Sequence, residues 1–202
     1  MRLRLVLPFA LTLSATAAVL AGGGDAAPAR DARVRPGIGI ASVELGMTPA
    51  QVRRAMGRAQ DSAWSEERSF GSRYVELVWD QGPEDYFSVG LSGRSGALRA
   101  VAIATTRPGE RTPSGIGPGS TIVKLRRTIR GLRCFVIFPR EGGTVIQSEY
   151  VLNHAGGRQT VFVPGKHRFY SRDTSKFVAY VTVRERGATS TAIRSVPCGV
   201  PW

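Results

Sequence analysis

The sequence GMTPAQVRRAM at residues 46–56 recurs 73 positions later as GSTIVKLRRTI at residues 119–129. Four positions are identical in the two copies: Gly46 and Gly119, Thr48 and Thr121, Arg53 and Arg126, Arg54 and Arg127. Because strand-like sequence follows each copy, the chain is predicted to contain one α+β unit written twice.

The first copy predicts a short helix. Thr48 is a favourable N-cap, Pro49 suits the first helical position, and Gln51 completes a capping box. Val52 and Met56 lie four residues apart and would share the buried face. The two arginines between them would then point to solvent.

The second copy predicts the same helix with different residues. Thr121 would be the cap, and Leu125 and Ile129 the buried pair. The parts that repeat are therefore those that a helix needs for its own stability, which favours a structural role for the repeat.

Three strands are predicted after each helix, over residues 72–80, 86–91 and 98–105 and over 145–152, 160–163 and 177–183. Alternation places Val75, Leu77 and Trp79 on one face of the first strand. Val101 and Ile103 are predicted core residues of the third.

The predicted fold class is α+β. Two tandem units, each a short N-terminal helical element and about three antiparallel strands, would form one sheet with helices on one face and the other face open. The predicted divisions are a signal peptide (1–21), a flexible linker (22–37), a first repeat (38–105), a hinge (106–114) and a second repeat (115–202).

The N-terminus predicts export. Arg2 and Arg4 precede an uncharged apolar stretch at residues 5–21, and small residues before Gly22 suit cleavage after Ala21. We therefore expect a secreted or cell-envelope protein. Retention of this segment as an anchor is the alternative.

Cys134 and Cys198 are the two cysteines of the chain. In an exported protein an even number of cysteines favours a disulfide, here closing a loop of about 65 residues. A catalytic or metal-binding thiol is the alternative, but neither cysteine has a histidine or second cysteine at ligand spacing. No metal site and no cofactor are predicted.

The formal charge is +13, and it becomes +11 when Arg2 and Arg4 are removed with the signal peptide. Such a charge is typical of proteins that bind polyanions, including anionic cell-wall polymers. However, nearly all basic residues are arginine, as expected of a GC-rich coding sequence. No run of five basic residues occurs, so no specific nucleic-acid binding is predicted.

No catalytic set stands out. A hydrolase would need Cys134 or a serine beside His154, with Glu149 orienting the base. Nothing in the spacing favours that arrangement, and His154 lies in a predicted turn. The sequence 115–121 lacks the lysine that a phosphate-binding loop requires.

The strongest candidate is a binding surface. Tyr74 and Tyr86 have the opposite parity to the predicted core, and Tyr150 and Tyr180 are assigned to the same open face. The basic tip Lys166, His167 and Arg168 is added to this site. Exposed tyrosine and arginine are typical of protein-binding surfaces, whereas tyrosine is also common on solvated strands. A non-enzymatic protein that binds an envelope or extracellular protein is therefore predicted.

The sequence LGMTPAQV at residues 45–52, followed by Gly57, resembles the opening of SmpA/OmlA-type envelope lipoprotein domains. Two such units in tandem resemble the β-lactamase inhibitory protein fold. The resemblance implies a helical element packed on a sheet in each half and a binding role for the sheet face. This chain departs from it by lacking a lipid-attachment cysteine and a disulfide in each half, and no functional residue matches.

Overall fold

A computed structural model describes residues 33–65, 73–82, 85–94, 96–139, 147–165, 176–187 and 193–198. The fold class is α+β, as predicted. The helices are α1 (Pro49–Met56) and α2 (Ile122–Thr128), with a 3-10 turn at Ala155–Gly157. The strands are β1 (Val34–Arg35), β2 (Gly39–Ile40), β3 (Val43–Glu44), β4 (Asp61–Ser65), β5 (Arg73–Asp80), β6 (Tyr86–Gly93), β7 (Arg99–Thr105), β8 (Arg133–Pro139), β9 (Gln147–Asn153), β10 (Arg158–Pro164), β11 (Val178–Glu185) and β12 (Ile193–Pro197).

Nine strands form one antiparallel sheet in the order β12-β8-β9-β10-β11-β7-β6-β5-β4. In this sheet α1 is followed by four sequential strands, β4 to β7, and α2 by five, β8 to β12, rather than the three predicted after each helix. The fourth strands of the two sets, β7 and β11, pair with each other, with Ile103 opposite Val183. This pairing joins the two sets into one continuous sheet.

A small sheet of β1, β2 and β3 precedes α1. Val34, Ile40 and Val43 are fully buried in it, and Val34 N–H donates to the carbonyl of Arg111. The predicted linker ran to residue 37, so it overlaps β1. The core therefore begins earlier in the chain than composition indicated.

Both helices begin as predicted. The Thr48 hydroxyl accepts from Gln51 N–H, and Gln51 closes the capping box on Thr48 N–H at 2.8 Å. The Thr121 hydroxyl caps α2 by accepting from Lys124 N–H. Val52 and Leu125 are buried, and the arginine pairs are exposed. The helix faces follow from the 3.6-residue period alone.

The segment before α1 is bonded to the sheet. Gly46 N–H donates to Ala100 O at 2.8 Å, and Ala100 N–H donates to Met47 O at 2.9 Å. Ala100 lies at the start of β7. Gly46 makes this contact with a φ of 88°, in the left-handed region that favours glycine.

The segment before α2 makes the same pair of bonds to the start of β11. Gly119 N–H donates to Val178 O, and Val178 N–H donates to Ser120 O, both at 2.8 Å. Gly119 has a φ of 80°. The glycine of the repeated sequence thus has the same backbone role in both halves.

One main hydrophobic core lies between the helices and the sheet. Val52 and Leu77 from the first half pack in the same cluster as Leu125 and Phe162 from the second. Both helices therefore cover the same sheet face. A second, smaller cluster contains buried Val151, Val161 and Val163.

Of the two core residues predicted for β7, one is buried and the other is not. Ile103 is fully buried, but Val101 is only partly buried and Ala100 is buried instead. The register of β6 and β7 shifts between Gly90 and Leu91, which leaves Val101 as the extra residue of a β-bulge. A bulge reverses the inward and outward alternation, so Val101 turns away from the core.

The predicted disulfide is present and joins Cys134 in β8 to Cys198. It closes a loop with a sequence separation of 64, worth roughly 4 kcal/mol in the chain-entropy model. Cys198 N–H also donates to Cys134 O. The disulfide therefore fastens the end of β12 to the start of β8.

The segment between β7 and α2 contains a buried carboxyl group. Glu110 is 1% exposed, and neither carboxylate oxygen has a hydrogen-bond partner. Arg107 Nη1 lies 3.9 Å from Glu110 Oε1, while Arg107 also pairs with Asp85 and lies 5.3 Å over the Phe87 ring. Burial raises the pKa of Glu110 above its ordinary value, although Arg107 opposes the shift.

We expect Gly46→Ala and Gly119→Ala each to lower the free energy of unfolding by about 1–2 kcal/mol, because the left-handed backbone disfavours a Cβ atom. Neither glycine has an atom within 4 Å of an added Cβ, so the cost is conformational. Urea unfolding measures it. Gly109→Ala is the matched control, since its added Cβ is also in open space without a positive φ. Equal effects at all three positions would contradict this role.

We expect Glu110→Gln to become more stable relative to the wild type as pH rises from 4 to 7.5. The folded-state pKa is raised above 4.5, so the Glu110 contribution to stability is full below 4.5 and is lost as pH rises through the folded-state pKa. Glutamine does not ionise and escapes this loss. Urea unfolding at both pH values, with exposed Glu185→Gln as control, tests it. A difference that does not change with pH would argue against it.

Candidate functional site

The face of the nine-stranded sheet away from α1 and α2, here called the outer face, carries the candidate site. On β5, Tyr74, Glu76 and Val78 alternate with the buried core residues and are partly exposed. This confirms the parity predicted for the strand. Two of the predicted site residues, Tyr74 and Tyr86, lie on this face near opposite ends of the β5–β6 pair, with Tyr74 opposite Ser92 and Tyr86 opposite Asp80.

Tyr74 is held in position by a glycine on the neighbouring strand. A Cβ atom added to Gly90 would lie 2.3 Å from the Tyr74 hydroxyl oxygen and 2.9 Å from its ring carbon Cζ. The ring therefore lies across the backbone of β6, in space that any other residue at 90 would fill. Glycine inside a strand is expected where another group approaches closely.

Tyr86 is positioned by a hydrogen bond. Its hydroxyl donates to Glu76 Oε1 at 3.2 Å, and its backbone N–H donates to Thr106 Oγ1 at 3.0 Å. Glu76 lies between the two tyrosines on the outer face. The side chains of both tyrosines therefore have defined positions on the outer face.

Small residues lie beside the tyrosines. The register places Ser88 opposite Ala104 and Gly90 opposite Ala102 on β6 and β7. These four residues, here called the trough floor, carry side chains of at most two heavy atoms. On β11, Thr182 lies opposite Ala104. The trough floor therefore runs across the centre of the outer face, where the two strand sets meet.

The opposite side of the trough floor is bordered by a charged pair. Arg184, opposite Ala102 on β11, donates to both carboxylate oxygens of Glu149, at 2.8 and 3.3 Å. Arg184 Nε also donates to Gln159 Oε1 at 3.2 Å. Because a bidentate pair fixes the planar guanidinium, this border has a defined geometry.

The other two predicted tyrosines lie on different faces. Tyr180 packs against the second hydrophobic cluster on the outer face, as predicted. Tyr150 packs against the main core and lies opposite Phe162, a core residue of β10. Its predicted place on the outer face is wrong. Strand β9 has apolar residues on both faces, so its sequence alternation does not show which face points to the core. Lys166, His167 and Arg168 lie outside the described residues.

The residues considered for hydrolysis do not come together. His154 bonds through Nε2 to Thr160 Oγ1 at 2.9 Å, and the same hydroxyl accepts from Gly37 N–H at 2.9 Å. His154 therefore helps attach the β1–β2 turn to β10. Partial burial lowers its pKa. Cys134 is in the disulfide, and Glu149 is paired on the outer face.

A cavity lies on the other side of the sheet. It has a volume of about 540 Å³ and is bounded by the C-terminal end of α2 and by β8 and β9. Tyr150, Arg126 and Arg130 line it. Sequence reasoning assigned the α2 arginines only to solvent and did not anticipate this space.

Within the described part of the chain, no group of three histidine, cysteine or acidic side chains could hold a metal ion. No helix in that part is both long and apolar enough to cross a membrane. The outer face and the cavity are two features of the described residues that offer surface to a ligand.

No protein-family model, curated protein or solved structure matches this chain.

Several residues of the outer face were missed by the sequence analysis, namely Glu76, Gly90, Glu149 and Arg184. Two signals were available. Glu76 has the same strand parity as Tyr74, and Gly90 lies inside a strand between Val89 and Leu91. The pairing of Glu149 with Arg184 joins positions 35 residues apart and depends on strand order, which no local pattern contains.

Proposed function

We propose that this protein is an exported, non-enzymatic binding domain of the cell envelope or extracellular space. It recognises a protein partner through the outer face of the sheet. The observation that carries this proposal is the placement of Tyr74 over Gly90 on the same face as a Tyr86 that is bonded to Glu76.

Two partly exposed tyrosines on a face without a helix suit a protein partner. Aromatic side chains bury a large area on binding and dominate many protein interfaces. Since both rings are already oriented, little side-chain entropy would be lost when a partner covers them. The neighbouring Ala102 and Ala104 are partly exposed and small, so they would admit a protruding side chain of a partner.

The charges of this face also favour a protein over a polyanion. Glu76 and Glu149 are acidic, and the guanidinium of Arg184 is already paired. A polyanion would gain little there. The excess positive charge of the chain lies elsewhere, for instance on the helices.

Polyanion binding by the helix side is the second candidate. Arg53 and Arg54 on α1, and Arg126 and Arg127 on α2, are exposed, and none of the four has an ion pair among the described residues. These two clusters are the repeated arginines of the sequence motif. An anionic cell-wall polymer would be a suitable ligand for them.

We further propose that the chain consists of two SmpA/OmlA-like units, 38–105 and 115–202, arranged as in the β-lactamase inhibitory protein fold. The repeated sequence and the matched bonds of Gly46 and Gly119 support this arrangement. Export with cleavage after Ala21 is part of the same proposal. The disulfide supports it, since such bonds persist in oxidising compartments.

The test is a capture experiment with the chain from Gly22 onward and the envelope fraction of the source organism. We expect one or more proteins to be retained by the wild type and by Arg53→Ala/Arg54→Ala, and retention to fall at least tenfold with Tyr74→Ala/Tyr86→Ala. Losing two aromatic anchors costs 2 kcal/mol or more, on the order of tenfold or greater. Gly90→Ala should act in the same direction, because it moves Tyr74 without removing it.

Salt distinguishes the candidates. Binding to a protein through the outer face should persist when salt is raised from 50 to 300 mM, whereas polyanion binding should fall steeply through counterion release. Retention that is lost with Arg53→Ala/Arg54→Ala but kept by the tyrosine variant would contradict the outer-face proposal and favour the polyanion.

A further inference from the structure

The cavity beside α2 combines apolar and cationic walls. Ile129, Leu132 and the partly buried Tyr150 supply apolar surface, and Arg126 and Arg130 supply guanidinium groups. The disulfide forms part of the wall. The volume of about 540 Å³ falls within the range of about 300–1,000 Å³ that is usual for small-molecule sites.

The two arginines carry unneutralised charge. Neither Arg126 nor Arg130 forms an ion pair among the described residues, although other arginines of the chain do. Arg126 lies in the last turn of α2 and Arg130 just after its end, and both line the same cavity. The C-terminal end of a helix carries about half a negative charge, which two full positive charges outweigh. The cavity is therefore cationic overall.

In the first half of the chain, packed side chains fill the position that corresponds to the cavity. Leu77 pairs with Val89 in the first half, and Tyr150 pairs with Phe162 in the second. Tyr150 lies 73 positions after Leu77, and Phe162 lies 73 positions after Val89, so the two pairs are equivalent. Leu77 is 3% exposed, so the first half has a packed core there. A tyrosine at the matching position of the second half is only partly buried and borders open space.

We propose that this cavity binds a small amphiphilic organic anion, a carboxylate with an aliphatic or aromatic body. Arg126 and Arg130 pair with the carboxylate, and the apolar body lies against Ile129, Leu132 and the Tyr150 ring. Charge complementarity selects the anion, because a neutral molecule of the same shape leaves both guanidiniums unpaired. The site lies on the opposite side of the sheet from Tyr74 and is independent of the proposed protein partner.

Titration calorimetry with octanoate and 1-octanol, on the disulfide-bonded protein, tests this inference. We expect octanoate to bind with one molecule per chain and octanol to bind at least tenfold more weakly. Arg126→Gln/Arg130→Gln should lower octanoate affinity at least tenfold and leave octanol nearly unchanged. Both arginines are exposed, so these substitutions should preserve folding.

Two controls make the result specific. Arg53→Gln/Arg54→Gln removes the same charge from α1 and should leave octanoate affinity unchanged. Tyr74→Ala/Tyr86→Ala should also leave it unchanged, which separates this site from the outer face. Absence of octanoate binding, equal binding of octanol, or equal loss in the α1 control would each overturn the inference.

Discussion

The pairing of β7 with β11 is the interaction on which the rest of the structure depends. Each set of strands with its helix, β4 to β7 with α1 and β8 to β12 with α2, buries only one sheet face and has two edges. Joining the sets through Ile103 and Val183 removes one edge from each and lets both helices cover one core. The same pairing places Thr182 and Arg184 beside Ala104 and Ala102. The trough floor and its charged border therefore exist only because the two halves are fused.

The repeated sequence has mainly structural parts, although its Arg126 and Ile129 also line the cavity. The repeat supplies caps, a buried pair and a glycine that bonds to the start of β7 in one half and of β11 in the other, all of which stabilise the fold. The features available to ligands lie where the halves differ, at Gly90 under Tyr74 and at Tyr150 where the first half has Leu77.

Local patterns predicted the parts of the fold that local physics determines. The caps at Thr48 and Thr121, the faces of α1 and α2, the alternation around Leu77 and the disulfide all follow from short-range geometry or from counting cysteines. The rest depends on partners distant in sequence. β4 and β12 are five residues each and have few apolar positions, so no strand pattern marks them. The bulge at Val101 cannot be predicted from a pattern that alternates every two residues. Tyr150 was misplaced because the register of β9 against β10 decides its face.

The central claim is that both halves form one sheet over one core. Native-state hydrogen exchange with increasing urea tests it most directly, by comparing amides of β5 and β6 with amides of β9 and β10 and with those at the β7–β11 junction. A single fused core predicts that the slowest amides of both halves exchange with the same free energy and the same urea dependence. Separate unfolding of one half, with β7–β11 amides unprotected while the other half remains folded, would contradict the account.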